Sequence, residues 1–135
     1  MKQIKAKHYT DTVIYSVDKI LRNVKVALKQ RIDTLNIGIT SEQFVVLDTI
    51  GSYKQIYQQK LSEIMMKDKS NTKRILQVLE EKKLITKEAG SVNNRLVYFI
   101  KITPEGEKIV SDTMPKIKKF ITEIFKNISD EEIDN

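Results

Sequence analysis

From His8 to about Leu35 the apolar residues Ile14, Val17, Leu21, Val24, Leu28 and Leu35 recur at alternating steps of three and four, broken by Arg31 and free of glycine and proline. Steps of that size return to the same face of a helix on every turn, so the segment has to be one long helix of about 25 residues. Val13, Ile20 and Ala27 add a second stripe at seven-residue intervals. Such a helix carries more apolar surface than one neighbour covers, and a second copy of the chain is its expected partner.

The rest of the sequence alternates short helices with one change of period. Thr40 precedes Gln43 by three residues, which lets the hydroxyl accept from an early helix amide while the Gln side chain reaches back. A second helix is therefore expected up to Gly51 and Ser52, with Phe44, Leu47 and Ile50 inward and Val45 and Val46 beside them. Ile56 or Tyr57 to Met66 reads as a third helix with Leu61, Ile64 and Met65 inward; Met65 and Met66 read as core filler rather than metal ligands. Lys67, Asp68, Lys69 and Ser70 form a polar break in which Asp68 or Ser70 can accept from free amides. A fourth helix follows to about Lys83, packing Ile75, Leu76 and Leu79 inward and leaving Asn71, Lys73, Arg74 and Gln77 toward solvent.

At residue 84 the period changes. Residues 84–89 and 96–103 are rich in β-branched and aromatic side chains and flank the polar stretch 90–94, a hairpin with a polar tip. Thr103, Pro104 and Glu105 then open a last long helix that continues through Val110, Met114, Ile117, Phe120, Ile121, Ile124, Phe125 and Ile128. Pro115 is expected to kink it, and Ser129 followed by Glu132 repeats a capping spacing that announces a further helix start.

Composition narrows the function. The 135 residues suit a single domain, and the longest apolar run, 96–100, is far short of the ~18 residues that span a bilayer. With no signal-like stretch in 1–12, a cytoplasmic protein without membrane association is expected. There is no cysteine and one histidine, so thiolate zinc sites, thiol redox chemistry and a cysteine nucleophile are excluded. With no glycine-rich phosphate loop either, neither catalysis nor a cofactor is expected. The net charge of +6 is concentrated: residues 52–101 hold eleven Lys/Arg against five Asp/Glu, and the remainder is neutral.

A mainly α chain with a small β-hairpin, two short helices joined by a tight turn, and a basic middle between two long helices describes a winged helix-turn-helix. Residues 40–47, Leu61-Ser62-Glu63, 67–76, 79–85, Asn94-Arg95 and 102–106 together resemble the MarR family of bacterial transcriptional regulators, over about residues 8–132. The resemblance implies one MarR-like domain, with dimerisation helices at 8–35 and 104–135 and a DNA-binding lobe at 36–103. It implies a homodimer on a pseudo-palindromic double-stranded operator, a repressor released by a small, often aromatic, effector. It also implies that the fourth helix reads the major groove through Lys69, Ser70, Asn71, Thr72, Lys73 and Arg74, while Asn94 and Arg95 belong to a wing that enters the minor groove.

The residue chemistry agrees with those roles. A helix start offers amides to phosphate, Lys and Arg neutralise phosphates, and Asn bonds an adenine edge at two points, making Asn71 the foremost candidate for direct readout. Arg74 has the alternative of an internal ion pair, and Thr72 occupies a position the family usually gives to an apolar core residue. Asn94 replaces the family's usual Asp beside the wing arginine, while Met66 and Lys83 replace turn glycines. After Ser129 only about one helical turn of sequence follows where the family's final association helix is expected. Tyr9, Tyr15, Phe44 and Tyr57 are conceivable effector-lining residues, although core roles account for each. The competing function is a winged helix turned protein-interaction module, antirepressor-like, which has little use for so local a positive charge.

Overall fold

The computed structural model describes residues 7–133, with side chains to residue 127. Two compact units form: residues up to Asn36 with those from Lys116 onward, and Ile37–Pro115.

In the first unit a 3-10 turn, Tyr9–Asp11, leads into helix α1, Val13–Asp33. The helix begins at Val13 and not near His8 because Thr12 caps it, the hydroxyl accepting from the Tyr15 amide at 3.2 Å. Val24 and Ile32 are buried, whereas Val13, Ile14, Val17, Leu21 and Val26 remain exposed. Arg31, the break in the apolar series, donates to Glu123 at 2.7 Å and lies 5.6 Å over the Phe120 ring. Those partners belong to the last helix, α5, Pro104–Ile133, which also buries Ile117 and Ile124. Pro115 lies within α5 without ending it, and no new helix begins at Ser129; the side chains of Ser129 and Glu132 lie outside those described.

The second unit holds helix α2 (Ser41–Gly51), strand β1 (Ile56–Tyr57), helices α3 (Gln58–Met65) and α4 (Lys69–Glu81), strands β2 (Ile85–Val92) and β3 (Arg95–Ile102), and the start of α5. Thr40 and Gln43 form the expected capping box, at 3.1 and 3.0 Å. Two expectations are corrected here. Ile56 and Tyr57 are not helical: they pair antiparallel with Ile100 and Phe99, which makes a three-stranded sheet in the order β1-β3-β2. The hairpin tip is also only two residues long. Asn93 and Asn94 take φ of 51° and 64°, as a type I′ turn requires, and Val92 pairs with Arg95 beneath them.

One core closes this unit. Val46, Leu47 and Ile50 from α2, Ile56 from β1, Leu61 from α3, and Ile75, Leu76 and Leu79 from α4 meet Leu84, Ile85 and Ile100. Ile64, expected inward, is exposed, and Met66, expected as filler, is 93% exposed because it lies past the end of α3. Among the described residues no helix is long and apolar enough to cross a membrane.

Candidate nucleic-acid interface

The start of α4 is set by Asp68. Its carboxylate accepts from the Asn71 amide at 2.6 Å, and its carbonyl accepts from the Thr72 amide at 3.1 Å and the Thr72 hydroxyl at 3.0 Å. An acid at this cap opposes an approaching phosphate, so attraction has to come from the basic side chains beyond it. With Thr72, Ile75, Leu76 and Leu79 buried, the outward face of α4 carries Lys69, Ser70, Lys73, Arg74 and Gln77. Among the described residues none of Lys69, Lys73 or Arg74 has an acidic partner within ion-pairing distance, so the internal pair open to Arg74 is not formed.

Thr72 is a correction to the expected reading face. It is 1% exposed and its hydroxyl is taken by the Asp68 carbonyl, so it packs the helix onto the lobe and reaches no duplex. Asn71 is half-buried and already engaged: its side-chain nitrogen donates to Glu42 Oε1 at 3.0 Å. The same oxygen accepts from Lys67 Nζ at 2.7 Å. These hydrogen bonds, that from Lys67 first, hold the Glu42 carboxyl below its ordinary pKa, with weaker help from the charges of Lys67 and Arg74. Glu42 was legible only as the second residue of a capped helix, since its partners lie 25 and 29 residues further along the chain.

Both ends of the helix-turn-helix turn without glycine. Met66, after α3, has φ 52° and ψ 39°; its amide donates to Glu63 and the next amide, Lys67, donates to Ser62. Lys83, after α4, has φ 60° with the equivalent pair of bonds to Glu80 and Leu79. These are Schellman endings built on residues that ordinarily avoid the left-handed region.

The wing presents Asn94 in its turn and Arg95 at the first position of β3, both exposed, and Arg95 has no ion-pair partner among the described residues. The turn is narrow because Gly90 is part of β2. A Cβ there would sit 2.5 Å from the Phe99 ring, which lies across the glycine and in turn meets Tyr57 edge-on at 6.3 Å. Of the four aromatic residues considered for an effector, Tyr57 thus packs within the lobe and Phe44 is buried, while Tyr9 and Tyr15 meet edge-on at 5.9 Å. No group of three or more metal-ligating side chains occurs among the described residues.

The sequence model for the MarR family matches residues 39–97. An uncharacterised HTH-type transcriptional regulator of Bacillus subtilis, YsmB, is 27% identical over 122 residues, covering 89% of this chain and 83% of the relative. The fold is similar to MepR in the crystal structure of the S. aureus MepR–DNA complex: TM-score 0.72, 22% identity, 91% of this chain and 89% of that one. It is also similar to BpsR of Bordetella bronchiseptica, whose DNA binding is regulated by 6-hydroxynicotinic acid: TM-score 0.76, 18% identity, 89% and 84% coverage.

Proposed function

We propose, from the match of residues 39–97 to the MarR family model, that this chain is a MarR-family, sequence-specific, double-stranded DNA-binding transcriptional regulator. It works in the cytoplasm as a homodimer, without catalysis, and represses by occupying a pseudo-palindromic operator. Residues 8–35 and 104–135 supply the association helices and 36–103 the DNA-binding lobe. One observation carries the reading: Lys69, Lys73 and Arg74 on the outer face of α4, and Arg95 at the wing tip, are exposed and lack acidic partners among the described residues. An unpaired cation on a surface is free to displace counterions from a phosphate backbone, and that release is the main source of duplex affinity.

In mechanism, α4 enters the major groove with Lys69, Ser70 and Lys73 on the backbone and Asn71 and Arg74 toward base edges, while Asn94 and Arg95 bring the wing to the minor groove. Two copies set their reading helices about one duplex turn, roughly 34–36 Å, apart. The exposed stripe Val13, Ile14, Val17 and Leu21 of α1 is the apolar surface that pairs them. A small aromatic effector changes that spacing and releases the operator, as BpsR responds to 6-hydroxynicotinic acid. Selection of bound duplexes from a random pool tests the reading: the dimer should enrich a two-fold symmetric site, with affinity falling steeply with salt by about 0.9 log unit per phosphate neutralised. Recovery of an unenriched pool by a verified dimer would refute it.

A further inference from the structure

We propose that Glu42 is a positioning residue for base readout, holding Asn71 by its amide nitrogen and Lys67 by its ammonium so that Asn71 meets the duplex in a single orientation. The inference rests on the DNA-binding reading above. Its basis is a three-way junction: one carboxylate oxygen of Glu42 accepts from Lys67 Nζ at 2.7 Å and from Asn71 Nδ2 at 3.0 Å. The junction ties α2, the helix-turn-helix turn and the first turn of α4 together at one point.

Chemistry then dictates the orientation of the Asn71 amide. A carboxylate only accepts, so the NH2 end of Asn71 has to face Glu42 and the carbonyl oxygen has to face elsewhere. The main chain cannot swing to undo this, because the Asn71 amide is held by Asp68 at 2.6 Å. An unrestrained asparagine can offer a base either its donor or its acceptor. A restrained one offers its carbonyl oxygen and the one remaining amide proton, which match the N6 donor and N7 acceptor of adenine.

Lys67 has the complementary part. Its ammonium is neutralised by Glu42 and only 24% of the side chain is exposed, so it is withheld from phosphate. Glu42 itself is 48% exposed and puts negative charge beside the reading helix. It lowers indiscriminate attraction to DNA while sharpening the choice of base. Specificity gained at the expense of raw affinity has a signature that a residue needed only for folding does not share.

The test uses the full chain with Glu42→Ala and Glu42→Gln. In the free protein, the side-chain amide resonances of Asn71 should move toward those of a solvated asparagine in Glu42→Ala and stay near their original place in Glu42→Gln, which keeps an acceptor oxygen. With DNA, Glu42→Ala should lose about tenfold of its discrimination for adenine at one base pair per half-site. It should at the same time bind random duplex more tightly, with a salt slope steeper by about 0.9 as Lys67 is freed for one phosphate. Glu42→Gln should recover the base preference while keeping the tighter random binding. An unmoved Asn71 resonance in Glu42→Ala, or specific and random affinity falling in step, overturns the inference. Failure of the unaltered chain to bind any duplex instead overturns the DNA-binding reading, a result that the free-protein resonances keep separate.

Discussion

Replacing Met66 by glycine is expected to stabilise this protein. Met66 holds φ 52° at the position that closes α3, where Schellman geometry requires the left-handed region. An L-residue there carries roughly 1–2 kcal/mol of steric cost from its Cβ against the carbonyl oxygen. Glycine removes the cost but widens the unfolded ensemble, which offsets about 0.4–1 kcal/mol. Burial does not enter, because the Met66 side chain is 93% exposed. The net gain is about 0.5–1 kcal/mol, an upward shift of about 2–5 °C in Tm for a chain of this size. Thermal unfolding followed by circular dichroism measures it, with Met66→Ala as the control: alanine keeps the Cβ and the strain, so its Tm should stay near that of the unaltered chain. Asn36→Gly, at φ 51°, should gain less, because asparagine tolerates this region. A Met66→Gly protein no more stable than Met66→Ala would refute the assignment of strain to this turn.

Three further outcomes follow from individual contacts. Gly106→Ala should destabilise by about 2–3 kcal/mol in urea titration, since its Cβ would lie 2.4 Å from the Leu84 carbonyl, an oxygen that already accepts from Thr103 at 3.0 Å; an unchanged midpoint would show that the close approach is soft. The Glu42 carboxyl is held below its ordinary pKa in the fold, so its contribution is complete above the unfolded value of about 4.3 and is lost as pH falls through the folded one. The stability difference between the unaltered chain and Glu42→Gln should accordingly shrink below about pH 4, and a difference constant from neutral to strongly acid pH would contradict it. Arg95→Ala should weaken binding to every duplex and flatten the salt slope by about 0.9 in anisotropy titrations at several salt concentrations, with no change in Tm; an unaltered slope would remove Arg95 from the interface.

How far these features could be read from the sequence depends on the range over which their causes act. The Thr40–Gln43 box, the stripe Ile75, Leu76 and Leu79, and the change of period near residue 84 are local patterns, and each forms as read. Strand β1 was hidden because two apolar residues before a helix resemble its first turn, and only Ile100 and Phe99, more than 40 positions away, reveal them as a strand. Gly90 reads as turn because glycine usually marks one, yet it lies in β2 to make room for Phe99 while Asn93 and Asn94 supply the positive φ. The candidate site divides in the same way. Lys73, Arg74 and Arg95 are visible from charge and spacing, and Thr72 falls three and four residues before the inward Ile75 and Leu76, whereas the hold of Glu42 on Asn71 exists only once α2 and α4 have come together.

The two units differ in how their apolar surface is used, and that difference bears on function. Within Ile37–Pro115 the buried side chains of α2, α3, α4 and the sheet close on one core, while Val45, Tyr53, Ile64, Met66, Leu96 and Tyr98 stay exposed on α2, α3, β3 and the adjoining turns. On helix α1 the exposed apolar side chains gather on one face: Val13, Ile14, Val17 and Leu21 fall within about 100° of one another. At about 25 cal/mol per Å2 of apolar surface, leaving such a stripe in water costs several kcal/mol that a second copy would recover. Pairing through that stripe, as proposed above, would bury it without calling on the core residues of Ile37–Pro115.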